Sequence, residues 1–363
     1  MNPLRKVYVW YVLLAGFWVL TAVAWADGVG RQKETPMKTD IGIWYCTYYQ
    51  TKPTDIWDEK YGTTTVKYRP LCSNKPGDFR KYDADDPAVI DFHLEQLADA
   101  KIDFILLECT PGGLGGYRPA TKHIVDKARV VCERIKAWND DPRHAWKIRY
   151  AIAAGCHPDV WDNKPGFPVG LCMEDTAQDV SNTFVNNPAF GGAANYYHLN
   201  GQPILVFWGY GDPVSNHWAN YKGTKTSGNR FALRTASGCR AGEYGWNIPG
   251  SGTVLHQEVE VVSPGWGHYA RAEPPYVARR KGDFYRECWK KVLGNPLPRI
   301  VMIVAFNDYW ENTAVWTADT ANLTDADKWE DAGGKLNPSM YWEMTKDYIS
   351  QLRKAELAAG TPD

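Results

Sequence analysis

The chain has 363 residues, of which 44% are hydrophobic, and its formal net charge is -1. This length is enough to bury one large core, either as a single α/β barrel or as two smaller domains. The near-neutral charge, together with the lack of any run rich in lysine and arginine, argues against an electrostatic nucleic-acid binder.

The first 26 residues have the pattern of an export signal. Arg5 and Lys6 give a charged start, residues 7–23 are mainly apolar, and Ala-Trp-Ala at 24–26 resembles a cleavage site. The apolar stretch is short for a membrane span, so an uncleaved anchor is the less favoured alternative. We therefore expect a secreted or periplasmic protein with no stable membrane insertion after cleavage. The predicted division of the chain is a signal peptide over 1–26, a linker over 27–39, one domain over 40–357 and a tail over 358–363.

All eight cysteines lie within the predicted domain. In an oxidising compartment they could form up to four disulfides, whose pairing the sequence does not define. None lies in a Cys-x-x-Cys zinc pattern, so we expect neither a metal nor another cofactor.

Beyond the linker, short apolar runs alternate with helical patterns. Asp85 or Asp86 is placed to cap the first helix, with Pro87 at its first position. In chain order the prediction is strand 41–48, helix 87–100, strand 102–107, helix 120–138, strand 146–153, helix 176–185, strand 203–208, helix 213–221, strand 230–235, a looser segment 244–248, strand 258–263, helix 276–292, strand 300–306 and helix 338–355. About eight strands with intervening helices indicate an α/β fold, a single-domain (β/α)8 TIM barrel. A doubly wound open sheet is the alternative, but no Gly-x-Gly-x-x-Gly follows the first strand.

Polar and aromatic residues occur at the predicted carboxyl ends of nearly all the strands. In a barrel these ends gather the chemistry on one face. Each residue alone has an ordinary explanation, such as pairing of Glu108 with Arg118, but together they are typical of a polyol-binding site. The 17 Trp and 21 Tyr residues also favour carbohydrate, although a large core uses aromatic side chains too. The candidate substrate-binding residues are Tyr45, Tyr48, Glu108, Trp208, Tyr210, Ser237, Trp266, Asn307 and Trp310.

The last predicted strand leads directly into carboxylates. The apolar run 300–306 is followed by Asn307, Asp308 and Glu311, with Trp310 beside Glu311. Glycoside hydrolysis usually needs two carboxyl groups, and two that lie three residues apart can face one pocket if a helical turn begins there. Apolar packing of Trp310 is expected to raise the pKa of Glu311, which suits a general acid. The alternative is that these acids only cap the next turn.

The segment 306–313, Phe-Asn-Asp-Tyr-Trp-Glu-Asn-Thr, resembles the Phe-Asn-Glu-Trp-His-Glu-Gly-Thr segment of glycoside hydrolase family 99, the endo-α-mannosidase-like enzymes, and of their family 71/99-like relatives. Other pieces resemble the family in the same order, and the resemblance spans roughly residues 40–355. These pieces are 82–87, 100–103, 201–204, 263–266 and 282–289.

The resemblance implies a retaining (β/α)8 glycosidase of a group that acts on α-mannosides. Carried over by position, Asp308 would assist the 2-hydroxyl of the sugar and Glu311 would be the acid/base. The sequence departs from the family at Asp308, which is shorter than glutamate by one methylene, and at Asn312, which replaces glycine. We therefore predict a secreted glycoside hydrolase acting on a polysaccharide or glycan. The alternatives are a carbohydrate-binding barrel without catalysis and a structural surface protein.

Overall fold

The computed structural model describes residues 38–52, 57, 68–111, 113–115, 121–155, 169–208, 231–236, 244–245, 258–267, 277–294, 296–323, 328–331 and 333–360. The predicted export signal and the predicted helix 213–221 lie outside the described residues, as do Tyr210 and Ser237.

Strands and helices alternate along the described chain. The strands are β1 (Asp40–Cys46), β2 (Arg69–Pro70), β3 (Phe104–Cys109), β4 (Arg149–Gly155), β5 (His198–Leu199), β6 (Gln202–Trp208), β7 (Ala232–Thr235), β8 (Val259–Val262), β9 (Ile300–Ile303) and β10 (Ala318–Asp319). The α-helices are α1 (Pro87–Asp99), α2 (Lys122–Asp140), α3 (Val169–Val180), α4 (Asp283–Gly294) and α5 (Met340–Ala358). Within the described ranges, no helix has both the length and the apolar character needed to cross a bilayer.

The main sheet is parallel, with the order β7-β6-β4-β3-β1-β9-β8. Strand β1 lies in the middle, where Gly42 is opposite both Phe104 of β3 and Met302 of β9. A Cβ atom at position 42 would lie only 2.4 Å from the Phe104 ring, so glycine gives these two large side chains their space. Because the strands are parallel, their carboxyl ends share one edge, which is where the candidate site residues were predicted.

The sheet curls, and side chains connect strands that are far apart in its order. The Trp44 indole of β1 donates a 2.7 Å hydrogen bond to the carbonyl of Tyr244, which follows β7. Arg234 of β7 binds Glu258, just before β8, with 2.7 Å between Nη2 and Oε2. The two outermost strands of the order are thus linked by an ion pair. The described residues form a curled parallel sheet, and no backbone pairing between β7 and β8 is present among them.

Most predicted elements are confirmed with small shifts in their ends. The Asp86 carboxylate accepts a 2.9 Å hydrogen bond from the Ala88 backbone, so it caps α1 as predicted. The predicted strand 300–306 ends earlier, at Ile303. The reason is that Ala305 exchanges backbone hydrogen bonds with Thr313 and Val315 and not with β8. Phe306 accepts one from the Trp316 backbone and donates one to the Trp44 carbonyl of β1. This early end starts the loop that carries the candidate carboxylates.

Helix α5 is fastened to the opposite edge of the sheet. Arg353 donates to Asp103 at 2.9 Å and to the Thr39 carbonyl at 2.7 Å, and Glu356 accepts from the Thr39 backbone at 2.6 Å. The buried Asp103 also accepts from the Ile41 backbone at 2.8 Å. This network ties the closing helix to the start of β1, so the two edges of the sheet have separate structural and candidate chemical roles.

The predicted disulfides are not found among the described cysteines. Cys46, Cys72, Cys109, Cys132 and Cys288 are buried thiols that form no disulfide in the described part of the chain. These cysteines pack as small apolar side chains, as buried free cysteines commonly do. Composition and an expected oxidising compartment gave no information about the distances between them.

We expect thiol titration without reductant to detect at least the five free thiols once the chain is denatured, and almost none of them in the native state. Burial raises the pKa of the Cys132 thiol far above its ordinary value, and the attacking form in thiol chemistry is the thiolate. A chromogenic disulfide reagent, added before and after denaturation, measures both quantities. Fewer than five reactive thiols in the denatured chain would contradict the assignment.

Candidate active site

The loop after β9 is organised around Asp308. Its Oδ1 accepts hydrogen bonds from the Tyr48 hydroxyl at 2.9 Å and from the Glu311 backbone at 3.1 Å. Its Oδ2 accepts from the Thr313 hydroxyl at 3.1 Å, and its carbonyl accepts from the backbone of Thr313 and Ala314. The carboxylate, only 3% exposed, therefore caps the turn that presents Glu311. The capping role considered from the sequence is present.

Asn307 attaches this loop to the central strand. Its amide oxygen accepts from the Cys46 backbone at 2.7 Å, and its amide nitrogen donates to the Cys46 carbonyl at 3.0 Å and to the Tyr82 hydroxyl at 2.8 Å. The side chain is fully buried. It extends the pairing between β1 and β9 in place of a backbone amide, which fixes the position of the next residue, Asp308.

Glu311 is held from the neighbouring loop. The Trp266 indole donates a 3.0 Å hydrogen bond to Oε2 of Glu311, and the Gly267 backbone donates to the Glu311 carbonyl at 2.9 Å. Glu311 and Trp266 are both half-buried, so the carboxyl is oriented by the protein and still reaches the surface of the site.

Glu108, at the end of β3, is a third carboxyl beside Asp308. Burial and the negative charge of Asp308 raise the pKa of Glu108 to about 7, against hydrogen bonds from Cys46 and Thr110 that lower it. The Thr110 hydroxyl donates to its Oε1 at 2.8 Å, and the Cys46 thiol also hydrogen-bonds to it. Two neighbouring carboxyl groups with different environments are an arrangement that acid–base chemistry uses.

Aromatic rings border the carboxyl groups. The ring centroids of Tyr48 and Trp310 are 6.3 Å apart in an edge-on arrangement. Burial and the charge of Asp308 raise the pKa of the Tyr48 hydroxyl, which therefore donates to Asp308 as a neutral phenol. Six of the predicted site residues are half-buried at this edge of the sheet: Tyr48, Glu108, Trp208, Trp266, Trp310 and Glu311.

Tyr45 is placed differently from the prediction. Tyr45 is 1% exposed and points toward α1, where its hydroxyl hydrogen-bonds to His93 at 2.8 Å and its ring stacks on Phe306. Trp208 ends β6 next to Gly155 of β4. The structure thus brings Tyr48, Asp308 and Glu311 into one hydrogen-bonded group, with Tyr45 on the opposite side of β1.

Sequence reasoning missed Thr313 and Cys46 as neighbours of the carboxyl groups. Side chains alternate across a strand, so placing Tyr45 toward a helix would have directed Cys46 to the other side. No comparable signal identified Thr313, whose contact with Asp308 depends on the shape of the turn. In the part of the chain that the structure describes, no group of three or more His, Cys, Asp or Glu residues is arranged to hold a metal ion.

No protein-family model and no curated protein matches this sequence. Solved structures do match in fold. The GH99 endo-α-mannosidase of Bacteroides thetaiotaomicron in complex with Bis-Tris-propane has a TM-score of 0.56 and 15% identity, over 88% of this chain and 99% of that one. Another structure of the GH99 endo-α-mannosidase from this organism gives 0.53 and 14% over 88% and 99%, and a glycoside hydrolase-like protein gives 0.52 and 13% over 89% and 95%. The chain is therefore similar in fold to GH99 endo-α-mannosidases.

Proposed function

We propose that this protein is a glycoside hydrolase that cleaves glycosidic bonds in a polysaccharide or glycan, on a closed (β/α)8 barrel. The observation that carries the proposal is the half-buried Glu311, which Trp266 orients on the loop that Asp308 organises. The ion pair between Arg234 and Glu258 supports closure of the barrel between β7 and β8. Export through residues 1–26 belongs to the same proposal and rests on the sequence pattern alone.

In the proposed reaction Glu311 is the acid/base and Asp308 the assisting carboxylate. Glu311 gives its proton to the glycosidic oxygen as the bond from that oxygen to the anomeric carbon breaks. Asp308 accepts the proton of the sugar's 2-hydroxyl, whose oxygen then bonds to the anomeric carbon. Glu311, now ionised, takes a proton from a water molecule whose oxygen bonds to the anomeric carbon. The bond between that carbon and the 2-oxygen breaks at the same time, and Asp308 returns its proton to the 2-oxygen, which restores the 2-hydroxyl and both carboxyl groups.

The remaining residues bind the sugar in this scheme. Glu108 is largely protonated below pH 7, because its pKa is about 7, and can donate a hydrogen bond to a substrate hydroxyl. The half-buried rings of Tyr48, Trp208, Trp266 and Trp310 offer apolar faces to sugar rings. Tyr210 and Ser237 keep their predicted role as hydroxyl-bearing contacts.

A carbohydrate-binding barrel without catalysis is the second candidate. One observation favours it: both oxygens of Asp308 already accept hydrogen bonds from Tyr48, Glu311 and Thr313. These bonds use three of the roughly four acceptor positions of a carboxylate, which leaves little room for the proton of a substrate hydroxyl.

The two candidates are separated by incubating the protein with α-linked oligosaccharides and polysaccharides and measuring reducing ends over time. The variant with both Asp308→Asn and Glu311→Gln is the blank, and binding to the same glycans is measured by calorimetry. Release above the blank supports the hydrolase. Binding without release over long incubation supports the binding barrel. If the protein shows neither release nor binding, both proposals are contradicted.

A further inference from the structure

A buried arginine lies directly behind the Glu311 turn. Arg279 is 2% exposed, and it donates from Nε to the Asn312 side-chain oxygen at 2.9 Å. Its Nη2 donates to the carbonyls of Asn312 at 2.8 Å and of Ala314 at 2.9 Å. Three bonds from one planar guanidinium define both the distance and the direction of this segment.

Asn312, to which Arg279 donates, has an unfavourable backbone conformation. Asn312 follows Glu311 directly and has a φ of +53°, in the left-handed region where the resembled family motif has glycine. Asparagine adopts this conformation more readily than most residues, but at a cost relative to glycine. Its side-chain oxygen accepts from Arg279 and also from the Tyr68 hydroxyl. The asparagine thus provides a side-chain hydrogen-bond acceptor that glycine lacks.

Arg279 also contacts the second segment that holds Glu311. A Cβ atom at Gly265 would lie 2.8 Å from Cγ of Arg279, so the two chains pass in close contact. Trp266, whose indole binds Glu311, exchanges two 2.9 Å backbone hydrogen bonds with Val277, two residues before Arg279. The arginine therefore stands between the loop that carries Glu311 and the loop that orients its carboxyl.

Burying the charge of Arg279 has a large desolvation cost, which its hydrogen bonds must offset. Its guanidinium donates to oxygens of Asn312 and Ala314, and it lies 4.5 Å from the ring centroid of Tyr341 and 5.1 Å from that of Trp329. An apolar side chain would fill such a space at lower desolvation cost. What an apolar side chain cannot do is fix the carbonyls that follow Glu311.

We propose that Arg279 is a positioning residue for the Glu311 carboxyl, acting through Asn312 and the Trp266 segment. The proposal deepens the proposed function and rests on it for its kinetic consequence. Lysine keeps the charge but offers no planar fork, so Arg279→Lys lets the turn and the carboxyl move. A misplacement near 1 Å lowers kcat by roughly 100-fold, with KM nearly unchanged, because Arg279 does not touch substrate in this scheme. Asn312→Gly keeps the left-handed turn and loses only the side-chain oxygen that accepts from Arg279 and Tyr68, so kcat falls by roughly tenfold.

The test follows the indole proton of Trp266 by NMR on the full chain with isotope-labelled tryptophan, assigned with Trp266→Phe. In the wild type we expect its signal to be shifted by the bond to Glu311 and to titrate with pH. In Glu311→Gln the amide oxygen can keep the bond, so the titration should vanish while most of the shift remains. In Arg279→Lys the signal should move toward that of a free indole and its titration should weaken, with a smaller change in Asn312→Gly. Arg143→Lys is the matched control, because Arg143 has an 84% exposed side chain, and it should leave the signal unchanged.

The indole measurement does not depend on turnover, so the two proposals can fail separately. An unchanged Trp266 signal in folded Arg279→Lys and Asn312→Gly would overturn the positioning role even if hydrolysis is found. The positioning role would also be overturned if the Trp266 signal of the wild type did not change with pH and was the same in Glu311→Gln. If Arg279→Lys shows no cooperative thermal transition, Asn312→Gly alone decides. Wild-type kcat in Glu311→Gln would instead refute the proposed function.

Discussion

Replacing Glu311 with glutamine is expected to lower the rate of reducing-sugar release by about 1,000-fold, within the range that loss of a general acid produces. Glutamine has nearly the shape of glutamate, and its oxygen can still accept the hydrogen bond from the Trp266 indole. The turn and the aromatic surroundings therefore persist, and the proton is what the substitution removes. Initial rates at saturating glycan, with binding measured in parallel, give the loss in kcat separately from any loss in affinity.

Glu343→Gln is the matched control for this substitution. Glu343 is exposed on α5 and accepts a 3.0 Å hydrogen bond from Asn337, so it offers the same chemical change away from the site. We expect it to retain the wild-type rate. Retained release in Glu311→Gln would show that another group donates the proton, and Glu108 is then the candidate.

Asp308 gives a less selective test than Glu311. Its carboxylate binds Tyr48, the Glu311 backbone and Thr313, so Asp308→Asn replaces one acceptor oxygen with a donor and disturbs the turn as well as the chemistry. A loss of activity in that variant would not separate the two effects. The structural role of Asp308 and its proposed chemical role are carried by the same atoms.

The alternation of strands and helices was predictable because it depends on local patterns. The helix that begins at Pro87 has its capping Asp86 beside it, and the apolar run that starts at Ile300 marks a buried strand. The position of the candidate carboxylates beyond the last strand also followed, since chemistry gathers at that edge of a parallel sheet.

The internal arrangement of the site was not predictable, because its partners are distant in the sequence. Tyr48 and Asp308 are 260 positions apart, and Asn307 and Cys46 are 261 apart, yet each pair is joined by hydrogen bonds. Spacing within one segment indicated which residues lie near the site. It did not indicate that the Asn307 side chain would hydrogen-bond to the backbone of β1. The disulfide prediction failed for the same reason, because the number of cysteines gives no information about the distances between them.

Glu108 should make the protein less stable as the pH rises from about 5 to 8. Its pKa is about 7 in the folded chain, against 4.5 for the unconstrained group, so between these two values the folded state holds up to one proton more than the unfolded state. The free energy of unfolding falls with increasing pH wherever the folded state binds more protons. The difference of 2.5 pKa units corresponds to about 3 kcal/mol at full effect. Because Glu108 is half-buried, solvent screening reduces our expectation to about 2 kcal/mol.

Glu108→Gln removes this titration and keeps the size of the side chain. The amide oxygen can still accept from the Thr110 hydroxyl, which now binds Oε1 of Glu108 at 2.8 Å. We therefore expect the variant to gain about 2 kcal/mol relative to the wild type between pH 5 and pH 8. Urea unfolding of both proteins at the two pH values measures the gain, and taking the difference cancels every group that they share.

Glu343→Gln serves again as the control, because an exposed carboxyl makes no such contribution, and its difference from the wild type should not change with pH. The second cause of the raised pKa gives an independent check. Asp308→Asn removes the negative charge beside Glu108, so the pKa of Glu108 should fall, and the destabilisation should end at a lower pH and be smaller in total. If the stability of Glu108→Gln relative to the wild type is equal at pH 5 and pH 8, neither burial nor the charge of Asp308 raises the pKa of Glu108 in the folded chain. The proton that Glu108 is proposed to offer to substrate near neutral pH would then have no physical basis.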